Sequence, residues 1–251
     1  MKRARVAYNG QILEAYPIDQ SELILLSSGE QVAENALVWL PPIEVNTIFT
    51  LGLNYADHAK ELAFNAPDKP LVFLKSANAL VGHLARTVRP DNVGYMHYEC
   101  ELAVVIGKSG KNIAEENALE YVQGYTIAND YAIRDYLENY YRPNLKVKNR
   151  DATTPLGPWL VDKDDISDPM NLSLRTFVNG VKTQEGNTKD MVFSIAKLIS
   201  YLSSIMTLSY GDIILTGTPE GLADVKVGDE VVCEIEGLGA LKNTISAPNS
   251  K

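Results

Sequence analysis

Two glutamates, Glu99 and Glu101, run straight into an apolar stretch over residues 102–106 that stops at Gly107. An apolar run of this length, closed by glycine, reads as a strand buried on both faces. Alternation along a strand puts Glu99 and Glu101 on one face and Cys100 on the other. Two carboxylates at the rim of a buried sheet repel each other unless a proton or a cation neutralises them. A divalent metal does this with one ion, and Asp130, just past an expected strand over 121–128, is the third candidate ligand. A set made only of carboxylates suits Mg²⁺, Mn²⁺ or Ca²⁺ rather than Zn²⁺. The spacing alone leaves a solvated strand end with two exposed glutamates as the alternative.

Composition narrows what such a strand can belong to. The chain has 251 residues, 45% hydrophobic and 22% charged, which is a globular and not a disordered composition. Lys and Arg number 23 against 32 Asp and Glu, a net charge of −9, which excludes phosphate-driven nucleic-acid binding. No apolar run approaches the ~20 residues of a membrane span. The first residues carry cations but no apolar segment, so no signal peptide is expected and the expected location is the cytoplasm. Cys100 and Cys233 make neither a disulfide framework nor a zinc motif. A small acidic enzyme acting on a small molecule is the leading class.

Residues 1–45 are predicted to form a small N-terminal β unit. Its apolar runs (5–8, 11–16, 23–26 and 38–40) are separated by Asn9-Gly10 and Ser28-Gly29 and closed by Pro41-Pro42. Residues 46–251 form the second unit, with strands expected at 46–51, 101–106, 121–128, 212–216, 230–236 and 241–245. Helices are expected at 56–64, 131–141 and 190–206, the last amphipathic with Asp190 as its N-cap. Regular βαβ alternation is missing, so the fold class is α+β, dominated by mixed or antiparallel sheet with a few helices. His58 and Glu61, three apart on a helix, share a face, as a general-base dyad or as a solvated pair. Thr218 lies in a glycine-flanked turn that offers its hydroxyl to a substrate carboxylate, or is a plain turn. Gly237-Leu238-Gly239 reads as a turn rather than a phosphate loop.

A series of ordered blocks carries a further signal. They begin with Gly52-Leu53-Asn54-Tyr55-Ala56-Asp57-His58 and Tyr98-Glu99-Cys100-Glu101-Leu102. Asn129-Asp130 with Arg134-Asp135 follow, then Lys148 through Asp151 to Pro155-Leu156-Gly157-Pro158-Trp159. The last are Thr216-Gly217-Thr218-Pro219-Glu220-Gly221 and Ile235-Glu236-Gly237-Leu238-Gly239. Together they resemble the fumarylacetoacetate hydrolase family over roughly residues 50–245. The resemblance implies a fumarylacetoacetase-type catalytic domain whose metal ligands are Glu99, Glu101 and Asp130, with Mg²⁺ as cofactor and Mn²⁺ or Ca²⁺ as substitutes. It implies a lid role for the helix of His58 and Glu61, an enolate-stabilising ammonium on Lys148, and a carboxylate clamp at Arg134. Arg142 and Arg150 are further cations for a substrate, and His83 and His97 are expected to be structural.

Residues 129–158 and Gly186-Asn187-Thr188 are similar to one branch, the isomerase/decarboxylases of homoprotocatechuate (4-hydroxyphenylacetate) degradation. That similarity implies an unsaturated 2-oxo di- or tricarboxylate as partner, decarboxylated or isomerised through a dienolate held at the metal. Hydrolysis of an acylpyruvate or fumarylacetoacetate-type diketone, decarboxylation of oxaloacetate, and a non-catalytic subunit are the alternatives. Leu53 departs from the arginine that many members carry. Enzymes of the branch often hold two such units in one chain, so a homodimer, or pairing with a paralogous subunit, is expected here.

Overall fold

Asn9 and Gly10 both adopt positive φ, 47° and 77°. This two-residue turn pairs β1 (Lys2–Tyr8) with β2 (Gln11–Pro17) in antiparallel register. The computed structural model describes residues 1–61, 67–137 and 144–248. Three short strands follow, β3 (Leu23–Leu26), β4 (Gln31–Ala33) and β5 (Val38–Leu40). Val6, Ala15, Leu26 and Trp39 are the centre of the apolar cluster these strands enclose.

The chain continues through β6 (Ile48–Gly52), α1 (Ala56–Glu61), β7 (Leu71–Lys75), β8 (Leu80–Val81), β9 (Arg86–Val88) and β10 (Met96–His97). Next come β11 (Cys100–Ile106), β12 (Val122–Asn129), β13 (Ala132–Ile133), α2 (Leu145–Lys148) and β14 (Thr154–Asp162). The last are β15 (Ser173–Val178), β16 (Val181–Asn187), α3 (Ile195–Ile205), β17 (Ile213–Leu215), β18 (Glu230–Ile235) and β19 (Gly239–Ser246).

One large sheet runs β4-β3-β2-β1-β14-β12-β11-β17-β6-β7, antiparallel except where β17 meets β6. From its far edge, β7 continues through a 3-10 turn at 77–79 into β8, which pairs in parallel with β14. The sheet therefore curls back on itself. Its inner face carries Ile48, Ala103, Val105, Ala128, Leu156, Leu160, Ile213 and Leu215. The outer face packs through Leu102, Val104 and Ile106 against α3 and a second sheet, β16-β15-β18-β19-β9. Every residue of β11 is buried, as its unbroken apolar run requires. The mixed sheets and few helices make the fold α+β, as expected.

Local expectations fared unevenly. The helix expected at 131–141 is not formed in its described part: Ala132 and Ile133 pair with His97 and Met96, and residues 134–136 make a 3-10 turn. Residues 138–143, with Arg142, lie outside the described residues, as does the end of the helix expected at 56–64, including Phe64. The long amphipathic helix starts later than expected. Ser194 is the N-cap, its side chain accepting from the Lys197 amide, while Asp190 ends a preceding 3-10 turn. Gly237 to Gly239 do form a turn, joining β18 to β19.

Candidate metal centre

Antiparallel register aligns Glu101 on β11 with Ala128 on β12 and Cys100 with Asn129, which brings Asp130 beside the glutamates. Glu99, Glu101 and Asp130 are buried and each offers an oxygen within 4.8 Å of the others. The three residues proposed from the sequence thus meet at one point. Cys100, facing the other way, belongs to the outer apolar cluster and is a free thiol.

The cluster is compensated by cations. Lys148, at the end of α2, donates from Nζ to Glu99 Oε2 at 2.6 Å and to Asp130 Oδ2 at 3.0 Å. Desolvation pulls this lysine down, but Asp130 and Glu99 together outweigh it and hold its pKa above the ordinary value. Lys75, at the end of β7, has a fully buried side chain. It crosses the inner face of the curled sheet and donates to Asp130 Oδ1 and to the Lys148 carbonyl. Burial lowers its pKa against the pull of Asp130. Nothing in the sequence singled out Lys75. The only signal is a lysine closing the apolar run Leu71-Val72-Phe73-Leu74, which also describes an ordinary strand end.

Glu99 and Glu101 respond to these neighbours in opposite directions. Desolvation pushes Glu99 up, but Lys148, His97, Arg134 and His58 outweigh it and bring it to about 2. Glu101 is driven well above the carboxylate range by desolvation, then by Asp130 and Glu99. Its Oε2 accepts from the Gly217 amide at 2.7 Å, and Oε1 has no partner among the described residues. Gly217 holds φ 89°, and a Cβ there would stand 3.0 Å from Asn54 Cβ. That conformation aims its N–H at Glu101. An orphaned, buried carboxylate oxygen in an all-carboxylate set fits a hard divalent cation.

The His58–Glu61 pair lies at the same end. His58 Nδ1 is 3.2 Å from Glu61 Oε2, while Glu61 Oε1 accepts the amides of Gly221 and Leu222 at 3.0 and 3.1 Å. Asn54 anchors the approach to α1, donating from Nδ2 to the Thr216 and Phe193 carbonyls and accepting the Phe193 amide.

His97 does more than border the strand. Its Nδ1 donates to the Tyr98 carbonyl, leaving Nε2 to accept Arg134 Nε at 2.8 Å. Burial, with Arg134 and Lys148 opposing the pull of Glu99, lowers His97 to about 3 and keeps it a neutral acceptor. Arg134 Nη2 reaches Glu99 Oε1 at 3.4 Å. Thr218 is buried beside Gly217 and its hydroxyl accepts from Gln184 at 2.9 Å. His83 lies apart from the cluster, bonded to Glu34 and the Lys242 amide, and Arg150 is exposed against Tyr136.

Three comparisons place this architecture. Residues 47–246 match the family described as fumarylacetoacetate (FAA) hydrolase C-terminal. A 4-hydroxyphenylacetate degradation bifunctional isomerase/decarboxylase from Salmonella dublin is 60% identical over 221 residues, 88% of this chain and 52% of its own length. The chain spans about half the length of such curated relatives. The 5-carboxymethyl-2-hydroxymuconate delta-isomerase of Mycobacterium smegmatis superposes with a TM-score of 0.87 at 33% identity, covering 100% of both chains. Fumarylpyruvate hydrolase from Pseudomonas aeruginosa, solved with Mn²⁺ and pyruvate, gives 0.77 at 30% identity over 93% of this chain and 96% of that one. With a family match across most of its length, and with these relatives, the chain belongs to the fumarylacetoacetate hydrolase family.

Proposed function

We propose that this protein decarboxylates or isomerises an unsaturated 2-oxo or 2-hydroxy dioic acid of 4-hydroxyphenylacetate catabolism, with Mg²⁺ bound by Glu99, Glu101 and Asp130. One observation carries the chemistry: three buried carboxylates, two buried lysines and a His–Glu pair converge at one end of the curled sheet. The similarity to isomerase/decarboxylases supports the substrate class. A divalent cation at the triad supplies Lewis acidity toward the oxygens of a 2-oxo acid.

The protein's own groups orient the substrate and move protons. Glu61, held by two backbone amides, keeps the proton of His58 on Nδ1, so Nε2 is the base that takes and returns a substrate proton. Lys148 stays an ammonium and meets the charge that develops on the 2-oxo oxygen. Arg134, aimed by His97, pairs with a remote carboxylate, and Thr218 donates its hydroxyl proton to another. With a divalent cation added, the cations around the site outweigh its carboxylates, which favours an anionic substrate.

The same proposal places the chain in the cytoplasm; among the described residues no helix is long and apolar enough to cross a membrane. It treats residues 1–45 as an accessory β unit, supported by their own apolar cluster, and 46–251 as the catalytic domain. It pairs the chain with a second unit of its kind, a copy of itself or a paralogue, supported by the greater length of the relatives.

A carbon–carbon hydrolase of acylpyruvates is the second reading, favoured by the likeness to the fumarylpyruvate hydrolase. The deciding assay gives the purified protein and Mg²⁺ three compounds. They are 2-hydroxyhepta-2,4-diene-1,7-dioate, the unsaturated 2-oxo tricarboxylate that yields it by losing carbon dioxide, and an acylpyruvate. Turnover of either of the first two is expected. Rapid cleavage of the acylpyruvate alone would replace this reading with the hydrolase.

A further inference from the structure

Each carboxylate of the triad has one oxygen held by a donor fixed in the fold. The Gly217 amide holds Glu101 Oε2, the Arg134 guanidinium reaches Glu99 Oε1, and Lys75 holds Asp130 Oδ1. The oxygens left over are Glu101 Oε1, Glu99 Oε2 and Asp130 Oδ2. The first has no partner among the described residues, and the other two are shared by the single ammonium of Lys148.

Lys75 is the most confined of these donors. Its side chain is 0% exposed, and its second contact, the Lys148 carbonyl, belongs to the backbone of α2. Its strand is anchored to β6 with Lys75 opposite Ile48. Held in this position, Lys75 keeps Asp130 Oδ1 occupied.

Building on the metal-site reading above, we propose that Lys75 is a positioning residue that restricts Asp130 to one-oxygen coordination and so tunes the site to Mg²⁺ and Mn²⁺ against Ca²⁺. The physical basis is the different appetite of these ions. Mg²⁺ keeps six ligands, several of them water, and is satisfied by one oxygen from each carboxylate. Ca²⁺ takes six to eight oxygens at longer distances and gains from bidentate carboxylates. A donor that occupies the second oxygen of Asp130 therefore costs Ca²⁺ a ligand and costs Mg²⁺ nothing.

The test uses the full chain and metals alone. Mn²⁺ affinity is read by electron paramagnetic resonance, and Ca²⁺ is added as competitor. In the unmodified protein Ca²⁺ is expected to displace Mn²⁺ poorly, and ready displacement would overturn the proposal. Lys75→Met is expected to raise the affinity for Ca²⁺ relative to Mn²⁺ by ~10-fold or more, within the range seen when a ligand's hydrogen-bond partner is lost. A ratio unchanged from the unmodified protein, or both metals weakening in parallel, would show that Lys75 is only a structural cation. Should Lys75→Met not fold, infrared difference spectra of the unmodified protein decide. Adding Ca²⁺ is expected to produce carboxylate stretches of the one-oxygen type only, and bidentate bands would overturn the proposal. A chain that binds neither Mn²⁺ nor Ca²⁺ removes the metal-site reading itself, and this inference with it. An unchanged ratio removes only the role of Lys75.

Discussion

Of the carboxylate oxygens in the cluster, only Oε1 of Glu101 lacks a donor among the described residues. Chelation is expected to abolish turnover, and Mg²⁺ or Mn²⁺ to restore it; full activity after exhaustive dialysis against a chelator would end the metal assignment. Glu101→Ala should lose metal affinity while keeping its circular dichroism spectrum, since it deletes a carboxyl that burial already opposes ionising. His58→Ala should lower kcat by ~10²–10⁴-fold, the usual loss of a general base. Metal affinity should survive that change, because His58 Nδ1 is committed to Glu61. A His58 variant that loses metal instead would make the histidine a ligand. Glu99, Glu101 and Asp130 were legible as candidates because two glutamates enter an apolar strand, although that spacing alone also allowed an exposed strand end. Lys75 was not, since its partner Asp130 is distant in sequence and only the curled sheet joins them.

Among the elements, β6, β11, β12, β17, β18 and β19 were readable from their β-rich runs, while β7, β14, β15 and β16 were not. Pro155 and Pro158 sit within β14, and proline normally argues against a central strand. β14 tolerates them beside an irregular register between Tyr125 and Ile127 of β12, and through parallel pairing of Pro155 with Val81. Residues 131–141 resemble a helix in composition, yet Ala132 and Ile133 are claimed by the edge of β10, a tertiary demand no local pattern reveals. The inner face holds another surprise. Thr50, Thr126 and Thr154 are fully buried there with hydroxyls that find no partner among the described residues. An unpaired buried polar group costs about 1–3 kcal/mol, so Thr126→Val should leave stability unchanged or raise it by up to that amount in urea denaturation. A clear loss of stability would mean that the hydroxyl is bonded to buried water.

At the scale of the molecule, the N-terminal strands join the rest along a polar seam. Arg3 bonds Asp162 at 2.6 Å, His83 bonds Glu34 at 3.1 Å, and Trp39 packs edge-on against both His83 and Trp159. Desolvation pushes Asp162 up, but Arg3 holds it below 3.8, and the His83 bond holds Glu34 below 4.5. Carboxylates depressed on folding stabilise above those unfolded values and lose the contribution as pH falls through the lower folded ones. The seam should therefore loosen below about pH 4. The chain has two tryptophans, Trp39 and Trp159, and both lie on it. Their fluorescence should shift in acid before far-ultraviolet dichroism falls, and simultaneous loss would show that the seam is not a separate weak point. The stretch from Thr216 to Leu222 has a different consequence. It gives one amide to Glu101 at one end and two to Glu61 at the other, and its Gly221 carbonyl accepts the Tyr98 hydroxyl. Metal binding at Glu101 is therefore expected to tighten the hold on Glu61, and linkage makes such an effect reciprocal. Adding Mg²⁺ should slow hydrogen exchange at the Gly221 and Leu222 amides, and unchanged exchange would show that Glu61 is held independently of the metal.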